Sequence, residues 1–160
     1  MQRIIIDAYN LLHADPELAS LSDRDLEGAR RGLIRRLSSY LRVKKVEVTL
    51  VFDGRELSPT GGPAPSRLRV IFSTPPESAD DMILRMVEGE KNPRALVVVS
   101  SDGRVARSAG ARGAKVVSAQ EFWKIIVKGR GREDKEEEKP ETPSPGEVDE
   151  WLRIFTRRPR

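Results

Sequence analysis

Short apolar runs and segments of helical spacing alternate along this chain, and that alternation restricts its fold more than any other feature. Residues 3–6, 46–52, 67–72, 95–100 and 115–117 read as strands. Residues 22–42, 78–90, 103–109 and 118–128 read as helices, the first capped by Ser22 or Asp23 and the last by Ser118, with Glu121 completing a capping box. Val46, Val48, Leu50 and Phe52 point one way from the second strand. A breaker-rich loop, 58–66, separates it from the third. Strands that alternate with helices imply an α/β fold with a central, mainly parallel sheet covered on both faces. In such sheets ligands bind beyond the carboxyl ends of the strands.

That edge receives acidic residues. Asp7 follows the first strand, Asp53 the second, and Asp102 the strand at 95–100, while Asp80 and Asp81 open the helix at 78. Asp53 and Asp102 each precede a glycine and read equally well as turn residues. Asp80 and Asp81 equally suit the positive end of a helix dipole. Asp7 is harder to explain structurally, because it interrupts an apolar strand and leads into Ala-Tyr-Asn rather than a turn. Crowded carboxylates repel one another and are costly to desolvate, so a protein that gathers them usually neutralises them with a cation. An oxygen-only ligand set points to Mg²⁺ or Mn²⁺ and to in-line displacement at phosphorus, hence to phosphodiester hydrolysis. Asn10 suits a metal-bound water, a phosphate or a helix cap.

Composition narrows the chemistry. With no cysteine, disulfides, thiol catalysis and cysteine zinc sites are excluded. His13 is the only histidine, which leaves a histidine-based hydrolase without support, and Ser100 and Ser101 have no visible base. The formal net charge of +4 suits an anionic partner, and 21 of the 29 basic residues are Arg, the residue that grips phosphate bidentately. Arg24, Arg31, Arg35 and Arg42 fall within about 40° of one another on the helix expected over 22–42. They form either a solvated face or a stripe that contacts phosphates. No leader-like segment and no membrane-length apolar run is evident, so a cytoplasmic protein is expected.

The domain is expected to span residues 1–128. Residues 129–146 are charged and rich in Gly and Pro, and read as a disordered linker. Residues 147–160 then form an amphipathic helix with a basic end, apolar at Val148, Trp151, Leu152 and Phe155. That helix docks on the domain or on a partner.

The stretch Ile4-Ile-Ile-Asp7-Ala-Tyr-Asn10-Leu-Leu-His13 resembles the opening motif of NYN-domain proteins, which are PIN-like ribonucleases. Val-Phe-Asp53-Gly, Ser78-Ala-Asp80-Asp81-Met-Ile, Val-Val-Ser-Ser101-Asp102-Gly-Arg104, Ser118-Ala-Gln-Glu121-Phe122 and the tail around Trp151 follow in the order of the YacP-like branch. The resemblance implies a three-layer PIN-like fold and divalent-metal-dependent endonucleolytic cleavage of RNA. It leaves open whether the RNA is free or presented by the ribosome or another RNA–protein particle. Carried over by position, Asp7, Asp81 and Asp102 would be the metal-binding carboxylates. Asp80 is the close competitor of Asp81, since only one of two adjacent helical residues points fully inward. Asn10, Asp53, Ser101 and Arg104 would support the site.

Other readings fare worse. No glycine-rich fingerprint follows the first strand and no Walker lysine motif occurs, so a nucleotide-binding domain lacks its signature. The Asp-x-Asp pair of haloacid-dehalogenase phosphatases is replaced by Asp7-Ala8-Tyr9. A toxin-type PIN nuclease is not separable from the favoured reading. A catalytically inactive RNA-binding module of the same fold is the main alternative.

Overall fold

The computed structural model describes residues 2–54 and 65–136, with side chains as far as Lys128. The strands are β1 (Gln2–Asp7), β2 (Val46–Phe52), β3 (Leu68–Phe72), β4 (Leu96–Val99) and β5 (Lys115–Val117). They form one sheet in the order β3-β2-β1-β4-β5, and every pairing is parallel. The helices are α1 (Ala8–Ala14), α2 (Pro16–Ser22), α3 (Leu26–Val43), α4 (Ala79–Glu88), α5 (Gly103–Ala111) and α6 (Ala119–Glu136). The α/β architecture with a parallel sheet is the one expected. Among the described residues, no helix is long and apolar enough to cross a membrane.

Alternation along each strand divides the core into two layers. Ile4, Ile6, Val48, Leu50, Phe52, Val97 and Val99 pack on one face with residues of α1, α2, α3 and α6. Ile5, Val51, Leu96 and Val98 pack on the other with α4 and α5. Helices on both faces bury the central strands most deeply, β4 throughout and β1 from Ile4 to Asp7, so these read as near-continuous apolar runs while the edge strand β3 is only partly covered.

Two short helices occupy residues 8–22, a span without a sequence expectation before Ser22. Asp7 ends β1 and caps α1; Asp15 caps α2 by accepting from the N–H groups of Glu17 and Leu18, with Pro16 at the first helical position. The long helix consequently starts at Leu26 rather than near Ser22. Its cap is Asp25, whose carboxylate accepts from the Gly28 N–H at 2.9 Å. At its other end the Arg67 guanidinium donates to the carbonyls of Leu41 and Lys44, groups that a helix terminus leaves without partners, and to that of Val46 at the start of β2.

Gly54 is set by a close approach. A Cβ there would lie 1.7 Å from the carbonyl oxygen of Ser73, whose hydroxyl accepts the Gly54 N–H at 3.0 Å. Helix α6 continues through Glu136, beyond the boundary expected at Lys128, so the first part of the expected linker is helical. The remainder of that linker and the tail helix around Trp151 lie outside the described residues.

Candidate active site

Strand register decides where Asp7 points. It shares the parity of Ile5 and therefore faces the layer built by α4 and α5. Its neighbours arrive from the starts of those two helices. Asp80 lies in the first turn of α4, and the Asp7 and Asp80 carboxyl groups hydrogen-bond each other. Asp102 caps α5, its Oδ1 accepting from the N–H groups of Arg104 at 2.8 Å and Val105 at 3.2 Å. The strand order reverses direction at β1 and β4, where fold principles place the crevice of an open parallel sheet.

Burial dominates the electrostatics. Asp7 is 4% exposed, and loss of solvation, then its hydrogen bond to Asp80, then the Asp80 charge push its pKa up to about 7. The Asn10 N–H, which donates to Asp7 Oδ1 at 3.4 Å, opposes that rise, and the Asp102 charge adds to it. Near neutrality the contact between Asp7 and Asp80 needs a proton or a cation to relieve it.

Asp81 has a different task. Its carboxylate accepts from the Ser78 N–H at 3.2 Å while its own N–H donates to the Ser78 hydroxyl at 3.2 Å, a complete capping box. Arg104 donates to its other oxygen at 2.6 Å, and this bond, with the Ser78 bonds, holds the Asp81 carboxyl below the usual carboxylate range. Neighbouring helical residues diverge by about 100°, so with Asp81 turned toward its cap, Asp80 is the one that meets Asp7. Of the two alternatives left open by the sequence, the geometry selects Asp80 as the inward carboxylate.

The supporting residues are tied into the scaffold. Asn10 Oδ1 accepts the Ser101 N–H at 2.7 Å, linking α1 to the loop after β4. The Ser101 hydroxyl donates to Gln120 Oε1 at 2.9 Å and accepts from the Ala119 N–H at 3.1 Å, so it caps α6. The Ser118 hydroxyl accepts the Glu121 N–H at 3.2 Å, as the capping motif implied. Asp53 directly follows β2 and is half-buried; the carboxylates that act most strongly on Asp7 are Asp80 and Asp102, and Asp53 is not among them. His13 is exposed in the last turn of α1.

The arginine stripe is only partly assembled. Arg31, Arg35 and Arg42 are exposed on α3, but Arg24 precedes the helix and does not share its periodicity. Arg31 pairs with Glu27 at 3.5 Å. Helix α3 packs on the sheet face opposite the one Asp7 points to, and Arg42 is about 16 Å further along the helix axis than Arg31. Two arginines stand closer to the carboxylates in the fold. Arg104 spans to Asp81, and Arg107, one turn on, turns back so that its Nη1 lies 3.3 Å from where a Cβ on Gly103 would be. Sequence reasoning passed over Arg107, although its spacing of three from Arg104 puts both on one helix face.

A second feature was not anticipated. Arg30 is 1% exposed, donates from Nε (3.1 Å) and Nη2 (2.6 Å) to the Tyr9 hydroxyl, and lies 5.7–6.0 Å from the ring centroids of Tyr9, Phe52 and Phe72. It braces the start of α1, which carries Asn10, against the ends of β2 and β3.

Among the described residues, no three carboxylate or imidazole groups converge closely enough to enclose a metal ion. The chain and its fold resemble known proteins. The chain is 29% identical over 132 residues to YacP of Bacillus subtilis (strain 168), covering 79% of this chain and 75% of that protein. It superposes on the crystal structure of Rae1 (YacP) from Bacillus subtilis with a TM-score of 0.72 at 26% identity, covering 97% of this chain and 92% of that one. A mutant of Rae1 (YacP) gives 0.73 at 24% identity, with 96% and 92% covered. The model of the YacP-like NYN domain matches residues 4–153, and the chain accordingly belongs to the YacP-like NYN domain family, within the PIN-like nuclease superfamily.

Proposed function

We propose that this chain is a divalent-metal-dependent endoribonuclease that hydrolyses RNA phosphodiester bonds at the carboxyl edge of its sheet. The observation that carries the reading is the contact between Asp7 and Asp80, with Asp102 beside them, at the switch between β1 and β4. A buried carboxyl group, Asp7, set against a second, half-buried one, Asp80, is costly to maintain without a purpose. Family membership points the same way.

The donor set suits the cation. It is made of carboxylate oxygens alone, which Mg²⁺ and Mn²⁺ prefer. Asp7 and Asp80 would hold the ion directly with Asp102 next to them, a sparse set of the kind Mg²⁺ accepts because it retains several waters. When bound, the ion would lower the pKa of a water and stabilise charge on the phosphoryl oxygens. The chain's own groups do the rest. Asp102 commits Oδ1 to the amides of α5, which leaves Oδ2 to orient a water. Asn10 commits Oδ1 to Ser101, which leaves its amide N–H groups to donate to a phosphate oxygen. The substrate is RNA, either free or presented within an RNA–protein particle.

The test is cleavage of labelled single-stranded and structured RNAs with Mg²⁺, Mn²⁺ or EDTA, comparing wild type with Asp7→Asn. Cleavage that requires both the ion and Asp7 is expected; activity retained in EDTA or in Asp7→Asn would remove the reading. The spread of the acidic groups favours a second reading, an RNA-binding module without catalysis. Tight, salt-sensitive binding with no cleavage of any of these RNAs, free or presented within an RNA–protein particle, would select it.

A further inference from the structure

A phosphodiester that approaches Asp7, Asp80 and Asp102 meets three acidic groups, and only nearby cations offset that repulsion. The stripe on α3 lies across the sheet from them. Helix α5 carries the adjacent positive charge. Arg104 and Arg107 are both exposed, at i and i+3 on its first turns. A helix N-terminus disfavours cations, so two guanidinium groups there need anions. Arg104 has Asp81. Arg107 forms no ion pair among the described residues, and it folds back over Gly103 toward the end of the helix that Asp102 caps.

We infer that Arg107 is the anchor for an RNA backbone phosphate flanking the scissile one, and that Arg104, steadied by Asp81, completes a cationic rim along the α5 side of the carboxylate cleft. The inference rests on the nucleolytic reading for the location of the scissile bond, but it can be tested by binding alone. The planar fork of Arg matches a phosphate bidentately, which Lys does not reproduce. Such a rim makes the strand run past the start of α5 rather than along α3.

The experiment measures binding of a short labelled oligouridylate to the full chain in EDTA, over a range of salt, by fluorescence anisotropy. Arg107→Ala is expected to weaken binding by roughly three- to tenfold and to reduce the salt slope by about 1, the loss of one phosphate contact. Arg107→Lys should keep most of the slope but not all of the affinity. The triple variant Arg31→Ala, Arg35→Ala, Arg42→Ala should retain more affinity than Arg107→Ala. Unchanged affinity and slope in Arg107→Ala, or a larger loss in the triple variant, overturns the assignment. So does a wild type that does not bind the oligonucleotide. A wild type that binds but cleaves RNA neither free nor within an RNA–protein particle refutes the nucleolytic reading and leaves the anchor to be judged on the slope. In a cleaving wild type, Arg107→Ala should raise KM with little change in kcat, and a change confined to kcat overturns an anchoring role. Because Arg107 is exposed, its variants should melt with the wild type.

Discussion

The Asp7 carboxyl, at the end of the central strand, and the Asp80 carboxyl, in the first turn of α4, hydrogen-bond each other although the residues are far apart in sequence. The contact sets the sign of a pH dependence. The folded pKa of Asp7, about 7, exceeds the ordinary 3.8, so between those values the folded state binds more protons than the unfolded one. Stability from this group is therefore present at low pH and falls as pH rises from about 4 to about 7. The displacement corresponds to at most about 4 kcal/mol. Replacing Asp7 by Asn keeps the shape and removes the charge. In the metal-free protein, Asp7→Asn should melt higher than wild type at pH 8 and near it at pH 4, while cleavage is lost. Equal melting temperatures at both pH values would contradict the raised pKa of the buried Asp7 carboxyl.

A cation should reverse that trend. Metal binding requires ionised carboxylates, so affinity rises with pH and binding releases protons. Thermal shifts produced by millimolar Mg²⁺ or Mn²⁺ should be larger at pH 8 than at pH 5, and Asp7→Asn should abolish them. A shift that is independent of pH, or that survives in Asp7→Asn, would place the ion elsewhere.

Asp80 and Asp81 should respond differently to the same chemical change. Asp80→Asn removes the group that meets Asp7 and should lower cleavage by at least as much as losing a metal ligand, roughly 100-fold or more, with little loss of thermal stability. Asp81→Asn weakens the capping box and the bond to Arg104. It should lower the melting temperature by a few degrees and reduce cleavage far less. The reverse ranking, measured on the same RNA, would assign the ligand role to Asp81.

Much of this arrangement is legible in the residues. The parallel sheet follows from the buried runs, and the direction of Asp7 follows from alternation with Ile4, Ile5 and Ile6. The choice of Asp80 was also within reach, since Ser78-x-x-Asp81 is a capping pattern and a capping carboxylate has its oxygens committed. Asp15-Pro16 likewise announces a helix start, and recognising it would have moved the long helix to Leu26 and removed Arg24 from the stripe. These are local signals, so sequence can carry them. The brace between Arg30 and Tyr9 is different. Arg30 sits in a helix crowded with exposed arginines, and only the packing of α3 over the ends of β2 and β3 buries it. Helical spacing does set it apart from Arg31 and Arg35, since at about 100° per residue Arg30 falls among Leu33, Leu37 and Leu41 on the buried face. What no local pattern supplies is its partners, Tyr9, Phe52 and Phe72, which come from three other elements.

That brace provides the last prediction. Tyr9→Phe keeps the ring against Phe52, whose centroid is 5.5 Å away, and deletes the acceptor of two Arg30 donors. Leaving buried donors of a charged group without that acceptor should cost on the order of 1–3 kcal/mol, seen as a lower denaturation midpoint with the m-value unchanged. Arg30→Met, which also removes the charge, should be less destabilising than Arg30→Ala, because a buried arginine contributes packing as well as hydrogen bonds. The functional consequence separates a brace from a contact. If Arg30 only positions α1, Tyr9→Phe should lower kcat through a displaced Asn10 and leave the salt slope of RNA binding unchanged. A reduced slope would mean that Arg30 reaches the RNA directly, which its burial in this fold argues against.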